Sequence, residues 1–190
     1  MLLKSYSKIN LSLNVNYKSK SGLHEIQSYY CWIDLFDKIK IKKAKRYEDK
    51  IVFSGPFAGL VNKKDNSVYK LLINLRKINL ITNYYSIEII KNIPVLSGLG
   101  GGTSNAVFIL KYLLKNKINK SLLNKFESII GSDFKIFFKK QGFVKNLQKI
   151  IELKKKHKFF FVLIQPKIRC STKEIYSYVK KFSKKEKFNK

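Results

Sequence analysis

The feature that most constrains this chain is a glycine cluster at residues 94–105, between strand-forming residues and an amphipathic helical pattern. Four of the nine glycines fall between Gly98 and Gly102. Glycine tolerates left-handed backbone angles and lets a ligand approach the main chain, and a helix N-terminus after such a loop attracts anions. The pattern predicts a phosphate-binding loop that suits a triphosphate. A flexible surface turn is the alternative, which the flanking strand and helix disfavour.

The spacing of these glycines excludes two widespread phosphate loops. A Walker A loop needs a Gly-Lys-Ser/Thr sequence, which does not follow here. A Rossmann fingerprint needs glycines spaced as GxGxxG, whereas here three are contiguous, from Gly100 to Gly102. The loop therefore belongs to another class of nucleotide site.

The first third of the chain has the periodicity of β-strands. Its 190 residues suffice for one domain or a small two-part unit with a buried core. Apolar residues alternate with polar ones at Leu11, Leu13 and Val15, and again at Ile39 and Ile41. This period of two predicts half-buried strands, and residues 84–90 predict another.

Helical spacing predicts three helices around the glycine loop. The first has caps at residues 65–67, the second continues from the loop, and the third covers residues 121–130 and ends at Gly131. Further on, residues 159–164 predict a buried strand. Ser171 or Thr172 would cap a last helix, followed by a frayed lysine-rich tail at residues 184–190. The predicted fold class is α+β.

The net charge of +28 and the pI near 10.0 suggest a nucleic-acid partner. However, arginine occurs only at Arg46, Arg76 and Arg169, so 37 of the 40 cationic residues are lysine. Because arginine is the usual side chain for reading bases, this scarcity argues against a sequence reader. The excess of Lys, Ile, Asn, Phe and Tyr is typical of an A+T-rich genome. We therefore expect nucleic-acid contacts that are weak, salt-sensitive and non-specific.

Composition also bears on the compartment. The longest strongly apolar stretch, residues 159–164, is far shorter than the roughly 20 residues of a spanning helix, and Met1 opens no signal sequence. We therefore expect a cytoplasmic protein without a membrane partner. Cys31 and Cys170 are the only cysteines and form no CxxC pair, which excludes a disulfide scaffold and a four-cysteine zinc site.

Four collinear segments of the chain resemble the GHMP kinases. They are residues 7–11, 22–28, 94–106 and 131–133, and the resemblance extends over about residues 4–176. The loop reads Gly-Gly-Gly-Thr-Ser-Asn, where many members have Gly-Leu-Gly-Ser-Ser-Ala. Asn105 therefore resembles the members that act on a cytidyl diphosphate.

This resemblance implies both a fold and an activity. Residues 1–150 would form the N-terminal ATP-binding lobe, a two-layer α/β fold also found in a small-subunit ribosomal protein, and residues 151–190 a remnant of a C-terminal lobe with a basic tail. The implied activity is an ATP- and Mg²⁺-dependent kinase. Its substrate would be 4-diphosphocytidyl-2-C-methylerythritol, phosphorylated on the 2-hydroxyl in non-mevalonate isoprenoid precursor synthesis. The alternatives are a kinase of another small alcohol and a non-catalytic RNA-associated protein of the same fold, and a homodimer is left open.

The resemblance also assigns roles to individual residues. Asp133 would accept the proton of the substrate hydroxyl, and Lys8 would orient that hydroxyl and stabilise the transferred phosphoryl group. Both should then lie beside the glycine loop. The implied ATP-binding residues are Asn66, Lys91, Pro94, Ser97, Gly98, Leu99, Gly100, Gly101, Gly102, Thr103 and Ser104, with Ser104 also a candidate Mg²⁺ contact. The implied substrate-binding residues are Asn10, Leu23, His24 and Tyr176.

The residues alone leave plainer interpretations open. Asp133 suits a turn, Lys8 is one of 37 lysines, Thr103 and Ser104 suit helix caps, and Tyr176 suits core packing.

Three departures from the family qualify the resemblance. Lys135 replaces a proline after the proposed base, and Leu23 replaces a tyrosine whose stacking on a base is worth about 1 to 3 kcal/mol. No glycine follows Gly142, so the third glycine-rich motif of the family is absent. This last departure predicts a shortened C-terminal lobe, in a minimised enzyme, in one completed by a partner, or in a decaying form.

Overall fold

The computed structural model describes residues 2–19, 22, 24–63, 65–115, 117–146, 149–165, 172–186 and 188. The strands in these ranges are β1 (Leu2–Asn10), β2 (Asn14–Lys18), β3 (His24–Lys43), β4 (Lys50–Ser54), β5 (Tyr85–Ile90), β6 (Gln141–Asn146) and β7 (Lys149–Glu152). The helices are α1 (Ser67–Lys77), α2 (Gly101–Leu114), α3 (Lys120–Ile130) and α4 (Thr172–Ser177), with 3-10 helices at Ala58–Leu60 and Phe134–Phe138. No helix in the described ranges combines the length and apolarity needed to cross a membrane.

The 20-residue strand β3 organises the sheet. Its antiparallel partners are β1 and β2 on one edge and β5 and β6 on the other. β4 extends the sheet beyond β5 in parallel, so α1 forms the crossover between them, and β7 extends it beyond β6. Because one strand spans both halves, residues far apart in sequence are held at fixed positions along it.

The helices α1, α2 and α3 form a second layer. The β5 residues Tyr85, Ile87 and Ile89 alternate with more exposed neighbours and pack in one apolar core with α1 and α2. The core residues of these two helices are Val68, Leu71, Leu72, Leu75, Ala106, Val107, Ile109, Leu110 and Leu114. On β3, the exposed residues Lys38, Lys40 and Lys42 alternate with Ile39 and Ile41, which lie in that core. The predicted α+β class is confirmed.

The three predicted helices around the glycine loop are also confirmed. The Asn66 side chain accepts a hydrogen bond from the Tyr69 N–H (3.0 Å) at the start of α1. The Asn119 side chain does the same for α3. Such caps are worth about 1 kcal/mol each. Gly131 follows α3 with a φ of +141°, a conformation that favours glycine at a helix end.

Two strand predictions are wrong. Leu11 and Leu13 lie in the turn between β1 and β2 and are exposed. Residues 159–164 form no strand, and Phe160, Val162 and Ile164 are 88%, 89% and 87% exposed. The apolar run predicted burial, but burial needs a packing partner. Within the described ranges the sheet ends at β7, and Phe160, Val162 and Ile164 stay open to solvent.

The tail prediction is partly wrong as well. The Ser183 N–H donates to the Val15 carbonyl (2.8 Å), and the Glu186 N–H and carbonyl both bond to the Gln27 side chain (2.8 and 3.0 Å). Residues 183–186 therefore lie on β2 and β3, where polar side chains of both strands satisfy the backbone. Composition alone does not reveal these partners.

Candidate active site

The helix α2 begins without a side-chain cap. Gly100 precedes it with a φ of +71° and offers no side chain, unlike the capping asparagines before α1 and α3. The Ser104 N–H reaches the Gly100 carbonyl (2.9 Å), and by helix geometry the N–H groups before it have no intrahelical acceptor. The first turn also contains no acidic residue. This end of α2 therefore presents N–H donors and positive potential to an anion.

The glycines of the loop are required by close contacts. A Cβ on Gly100 would lie 2.8 Å from the Phe137 ring, and one on Gly101 would lie 2.9 Å from the Ile93 side chain. Real Cβ atoms essentially never approach so closely, and the positive φ of Gly100 adds strain for any other residue. The loop is thus pressed against the turn that contains Phe137.

The segment before α2 is tied to its surroundings by two hydrogen bonds. The Ser97 hydroxyl donates to the Pro94 carbonyl (2.8 Å), closing a turn ahead of Gly98, whose φ is +74°. The Lys8 N–H donates to the Leu99 carbonyl (3.0 Å), which joins the loop to β1. This bond brings the predicted catalytic lysine to the glycine loop.

Lys8 and Asp133 meet beside the loop. The pairing of β1 with β3 shifts register between Tyr6 and Ser7, and such irregularities change the direction of following side chains. Lys8 is 6% exposed, and its Nζ lies 3.4 Å from Asp133 Oδ2 and donates to Asn10 Oδ1 (3.3 Å). A Cβ on Gly100 would lie 3.5 Å from the same Asp133 oxygen. A cation, a carboxylate and the uncapped helix end therefore share one region, as the predicted roles require.

Asp133 is held at the start of the 3-10 helix Phe134–Phe138. Its carbonyl accepts from the Ile136 N–H (3.1 Å), and its side chain keeps 29% of its surface exposed. Lys135 Nζ reaches Glu127 Oε2 on α3 at 2.5 Å, with both side chains largely buried. Where the GHMP kinases have a proline, this chain therefore fixes the turn with an ion pair.

Lys91 and Asn105 do not face the loop surface. Lys91 is 3% exposed and pairs with the fully buried Asp37, and Asn105 bonds to both. Asp37 also accepts from the N–H groups of Asn92 and Ile93 (2.8 and 2.9 Å). Burial lowers the pKa of Lys91, against the opposing effect of Asp37. Lys91 and Asn105 therefore fix the turn between β5 and the loop from behind, and these contacts do not support the predicted nucleotide contact of Lys91.

The side chains of Ser104 and Asn66 also make hydrogen bonds that stabilise the fold. Ser104 is fully buried, and its hydroxyl bonds to the Ser5 hydroxyl (2.8 Å) and the Tyr6 carbonyl (2.5 Å). Its hydroxyl is thus already engaged inside the protein, which does not support the predicted Mg²⁺ contact. The Asn66 side chain caps α1, so its direct contact with a nucleotide is not supported either.

Two hydroxyl groups do flank the uncapped helix end. A Cβ on Gly131 would lie 3.8 Å from Thr103 Oγ1, which places Thr103 on the Asp133 side of the loop. A Cβ on Gly102 would lie 3.5 Å from Ser67 Oγ, so the N-termini of α1 and α2 converge there. In the sequence, the position of Ser67 at a helix start indicates only a cap, so this hydroxyl becomes a candidate only in the folded chain.

The predicted base-binding residues form a stacked pair. The His24 and Tyr176 rings lie 5.2 Å apart between centroids with an interplanar angle of 18°, and Phe182 lies 6.4 Å from His24. Burial raises the pKa of Tyr176, and the nearby Asp133 carboxylate raises it further. The pair is thus within electrostatic reach of Asp133. Leu23, the remaining predicted contact, lies outside the described residues.

A groove away from these residues opens beside β3. It measures about 480 Å³, and its lining includes Trp32, Leu35, Gln141, Phe159 and Phe161. None of the predicted site residues lines it, so its size does not bear on the chemistry of the Lys8 and Asp133 pair.

Comparison with known proteins connects this geometry to a family. The sequence profile described as GHMP kinases N terminal domain matches residues 66–135, which include the glycine loop and Asp133. A 4-diphosphocytidyl-2-C-methyl-D-erythritol kinase of Pelagibacter ubique is 40% identical over 187 residues, covering 96% of this chain and 66% of the relative. One of Persephonella marina is 34% identical, covering 94% and 65%. The chain thus spans slightly less than two thirds of these relatives.

Solved structures share the fold. The crystal structure of a 4-(cytidine 5'-diphospho)-2C-methyl-D-erythritol kinase superposes with a TM-score of 0.60 at 22% identity, covering 80% of this chain and 55% of the other. The mevalonate kinase of Methanococcus jannaschii gives a TM-score of 0.52 at 20% identity, covering 82% and 56%. At these identities the similarity concerns the fold alone.

Proposed function

We propose that this chain, which belongs to the GHMP kinase family, transfers the γ-phosphoryl group of ATP to the 2-hydroxyl of 4-diphosphocytidyl-2-C-methylerythritol. The observation that carries the proposal is the contact of Lys8 with Asp133 (3.4 Å) beside the uncapped N-terminus of α2. The substrate comes from the names of the relatives, which are 4-diphosphocytidyl-2-C-methyl-D-erythritol kinases.

The uncapped helix end would hold the triphosphate. The N–H groups of Gly101, Gly102 and Thr103 and the positive end of the α2 dipole stabilise phosphate charge. The Ser67 hydroxyl adds a donor where the N-termini of α1 and α2 converge. The positive φ of Gly98 and Gly100 lets the main chain follow the phosphates closely.

Lys8 and Asp133 would carry out the transfer. The substrate hydroxyl oxygen forms a bond to the γ-phosphorus as the bond to the β–γ bridging oxygen breaks, and ADP leaves. Asp133 accepts the hydroxyl proton, and Lys8 stabilises charge on the transferred group. Asn10 holds the ammonium group of Lys8 from the other side (3.3 Å). Positioning and charge stabilisation supply most of the acceleration in such transfers.

Magnesium would enter as part of the MgATP substrate. Ser104 is buried, and the described residues contain no group of three His, Cys, Asp or Glu that could hold a metal ion. Mg²⁺ commonly keeps several waters and binds substrate phosphates with only one or two protein ligands. Mg²⁺ would therefore be held mainly by the ATP phosphates, with one or two protein ligands at most.

His24 and Tyr176 would recognise the cytosine base. Their rings already contact each other, so a base would stack on the outside of the pair or separate the two rings. Aromatic stacking on a base is worth about 1 to 3 kcal/mol. Leu23, where the family has tyrosine, would add apolar packing only.

A phosphotransfer assay tests this function. The chain is incubated with MgATP and 4-diphosphocytidyl-2-C-methylerythritol, and ³¹P NMR follows ADP and the new phosphomonoester. Mevalonate and homoserine serve as competing alcohols. The proposal expects product with the cytidyl substrate and little with the others. Product with another alcohol would instead assign the chain as a GHMP kinase of that alcohol. RNA binding without transfer to any alcohol would favour the non-catalytic alternative.

A further inference from the structure

Lys111 occupies an unusual environment on α2. Its Nζ donates to the Phe137 carbonyl (2.5 Å) and lies over the rings of Trp32, Phe108 and Phe138, at 5.2, 5.0 and 4.7 Å from their centroids. No ion pair joins it to a carboxylate in the described part of the chain. An ammonium group is thus held among aromatic rings with one carbonyl acceptor.

Stability alone does not favour a lysine here. Burial, together with a smaller effect of the nearby Lys139, lowers the pKa of Lys111 to about 8. An unbranched apolar side chain would fill the same space without removing a charge from water. The rings compensate the charge in part through cation–π attraction. The specific gain from a lysine is therefore its bond to the Phe137 carbonyl.

That carbonyl belongs to the turn that contains Asp133. The Phe137 ring packs directly on Gly100 of the glycine loop, and Asp133 lies at the other end of the same 3-10 helix. The Ile136 carbonyl is held in turn by Trp32 Nε1 (3.3 Å). Side chains of β3 and α2 therefore fix the last carbonyls of the turn. Because the glycine loop leads into α2, the bond from Lys111 links the turn to the helix that would bind phosphate.

We propose that Lys111 is a positioning residue that keeps the turn carrying Asp133 in register with the phosphate end of α2. The role rests on the proposed phosphotransfer function, because register between base and phosphate matters only if a phosphoryl group is transferred between them. Lys111 itself touches neither substrate. A displacement of about 1 Å in such an arrangement can cost about a hundredfold in rate.

Steady-state kinetics of four proteins test the proposal: wild type, Lys111→Met, Lys111→Arg and Lys115→Met. Methionine keeps an unbranched stem but loses the donor, whereas arginine keeps both a donor and a cation over the rings. Lys115 is an exposed lysine directly after the last residue of α2 and serves as the matched control. We expect Lys111→Met to lower kcat by about 10- to 100-fold. The KM values for ATP and alcohol should change by less than about twofold, because the contacts that bind both substrates before the reaction are retained.

The other two variants complete the test. Lys111→Arg should recover most of kcat, and Lys115→Met should match wild type. A kcat within about twofold of wild type for Lys111→Met would overturn the proposal. An equal loss in the arginine and methionine variants would also overturn it, since the stem and not the donor would then matter.

A second measurement separates this proposal from the proposed function. If wild type transfers no phosphoryl group, the proposed function fails, and amide hydrogen exchange still tests the positioning contact. The N–H groups of Ile136 and Lys139 make the hydrogen bonds of the turn. They should exchange at least about tenfold faster in Lys111→Met than in Lys115→Met. Equal exchange in both variants would contradict the positioning role.

Discussion

At the residue scale, two buried lysines, Lys8 and Lys91, and the partly buried Lys111 have different partners. Lys91 has a buried carboxylate partner in Asp37, Lys8 has the half-exposed Asp133, and Lys111 has rings and a carbonyl. A buried ammonium group without a counterion is the most costly of these arrangements. The protein therefore tolerates an energetic penalty at Lys111, next to its candidate active site.

The pKa of Lys111 predicts a pH effect on stability. Burial lowers this pKa from its ordinary value of 10.5 to about 8, so between those values the unfolded chain binds more protons than the folded one. The free energy of unfolding of wild type, relative to Lys111→Met, should therefore rise between pH 8 and pH 10.5. The rise should be roughly 1 to 3 kcal/mol after allowance for partial solvent screening.

Urea unfolding followed by the fluorescence of Trp32, the single tryptophan, measures this difference. Deprotonation of the many other lysines changes the stability of both proteins alike, so its effect cancels in the difference between them. Lys115→Met should give a difference from wild type that does not vary with pH. A flat difference for Lys111→Met over the same range would show that the folded and unfolded pKa values are equal.

At the scale of elements, the decisive contrast lies between helix starts. The helices α1 and α3 are capped by asparagine side chains, whereas α2 begins at a left-handed glycine with no cap. An uncapped helix start leaves donors for which a ligand can substitute. The missing cap therefore lowers the local stability of α2, but it leaves backbone N–H groups available to bind an anion.

Gly100→Ala should damage both the loop and nucleotide binding. The new Cβ would lie 2.8 Å from the Phe137 ring, and the left-handed backbone alone costs about 1 to 2 kcal/mol for alanine. If the loop shifts, at least one charge-assisted hydrogen bond to phosphate is lost. The dissociation constant for ATP, measured by titration calorimetry, should rise at least about tenfold.

Gly59→Ala is the matched control for this variant. A Cβ on Gly59 would meet no atom within 4 Å, and its backbone does not adopt the left-handed region. ATP affinity should therefore equal that of wild type. Equal affinity in Gly100→Ala as well would mean that the loop does not contact the phosphates.

The elements that the sequence predicts best are those with local signals. Caps at residues 65–67, helical spacing after the loop and Gly131 suffice for α1, α2 and the end of α3. Whether residues 159–164 form a buried strand depends instead on a packing partner that is distant in sequence. The partners of Lys91 and Ser104 are equally distant, since Asp37 and Ser5 lie on other strands. Their burial therefore could not be predicted from the loop sequence.

At the scale of the whole molecule, the candidate site joins four distant parts of the chain. Lys8 is on β1, the glycine loop begins α2, Asp133 follows α3, and Tyr176 is on α4. The motifs predicted these residues in order, but only the folded sheet and helices bring them together. The domain boundary at residue 150 stays a prediction, although residues 183–186 bond to β2 and β3.

The charge of the molecule is spread over solvated faces. Lys38, Lys40 and Lys42 point outward from β3 because the alternate positions Ile39 and Ile41 are buried. These three lysines thus occupy solvent-exposed positions, where charged side chains are usually found. The surface also carries exposed apolar residues, among them the run at residues 159–164.

The kcat of Asp133→Asn tests the central claim most directly, with the exposed Asp34→Asn as control. The amide keeps the shape of the side chain but cannot accept the hydroxyl proton. If Asp133 is the base of a phosphotransfer site, kcat with MgATP and the cytidyl substrate should fall by about 10²- to 10⁴-fold, while Asp34→Asn matches wild type. A kcat for Asp133→Asn equal to that of wild type would contradict the assignment of this region as the active site.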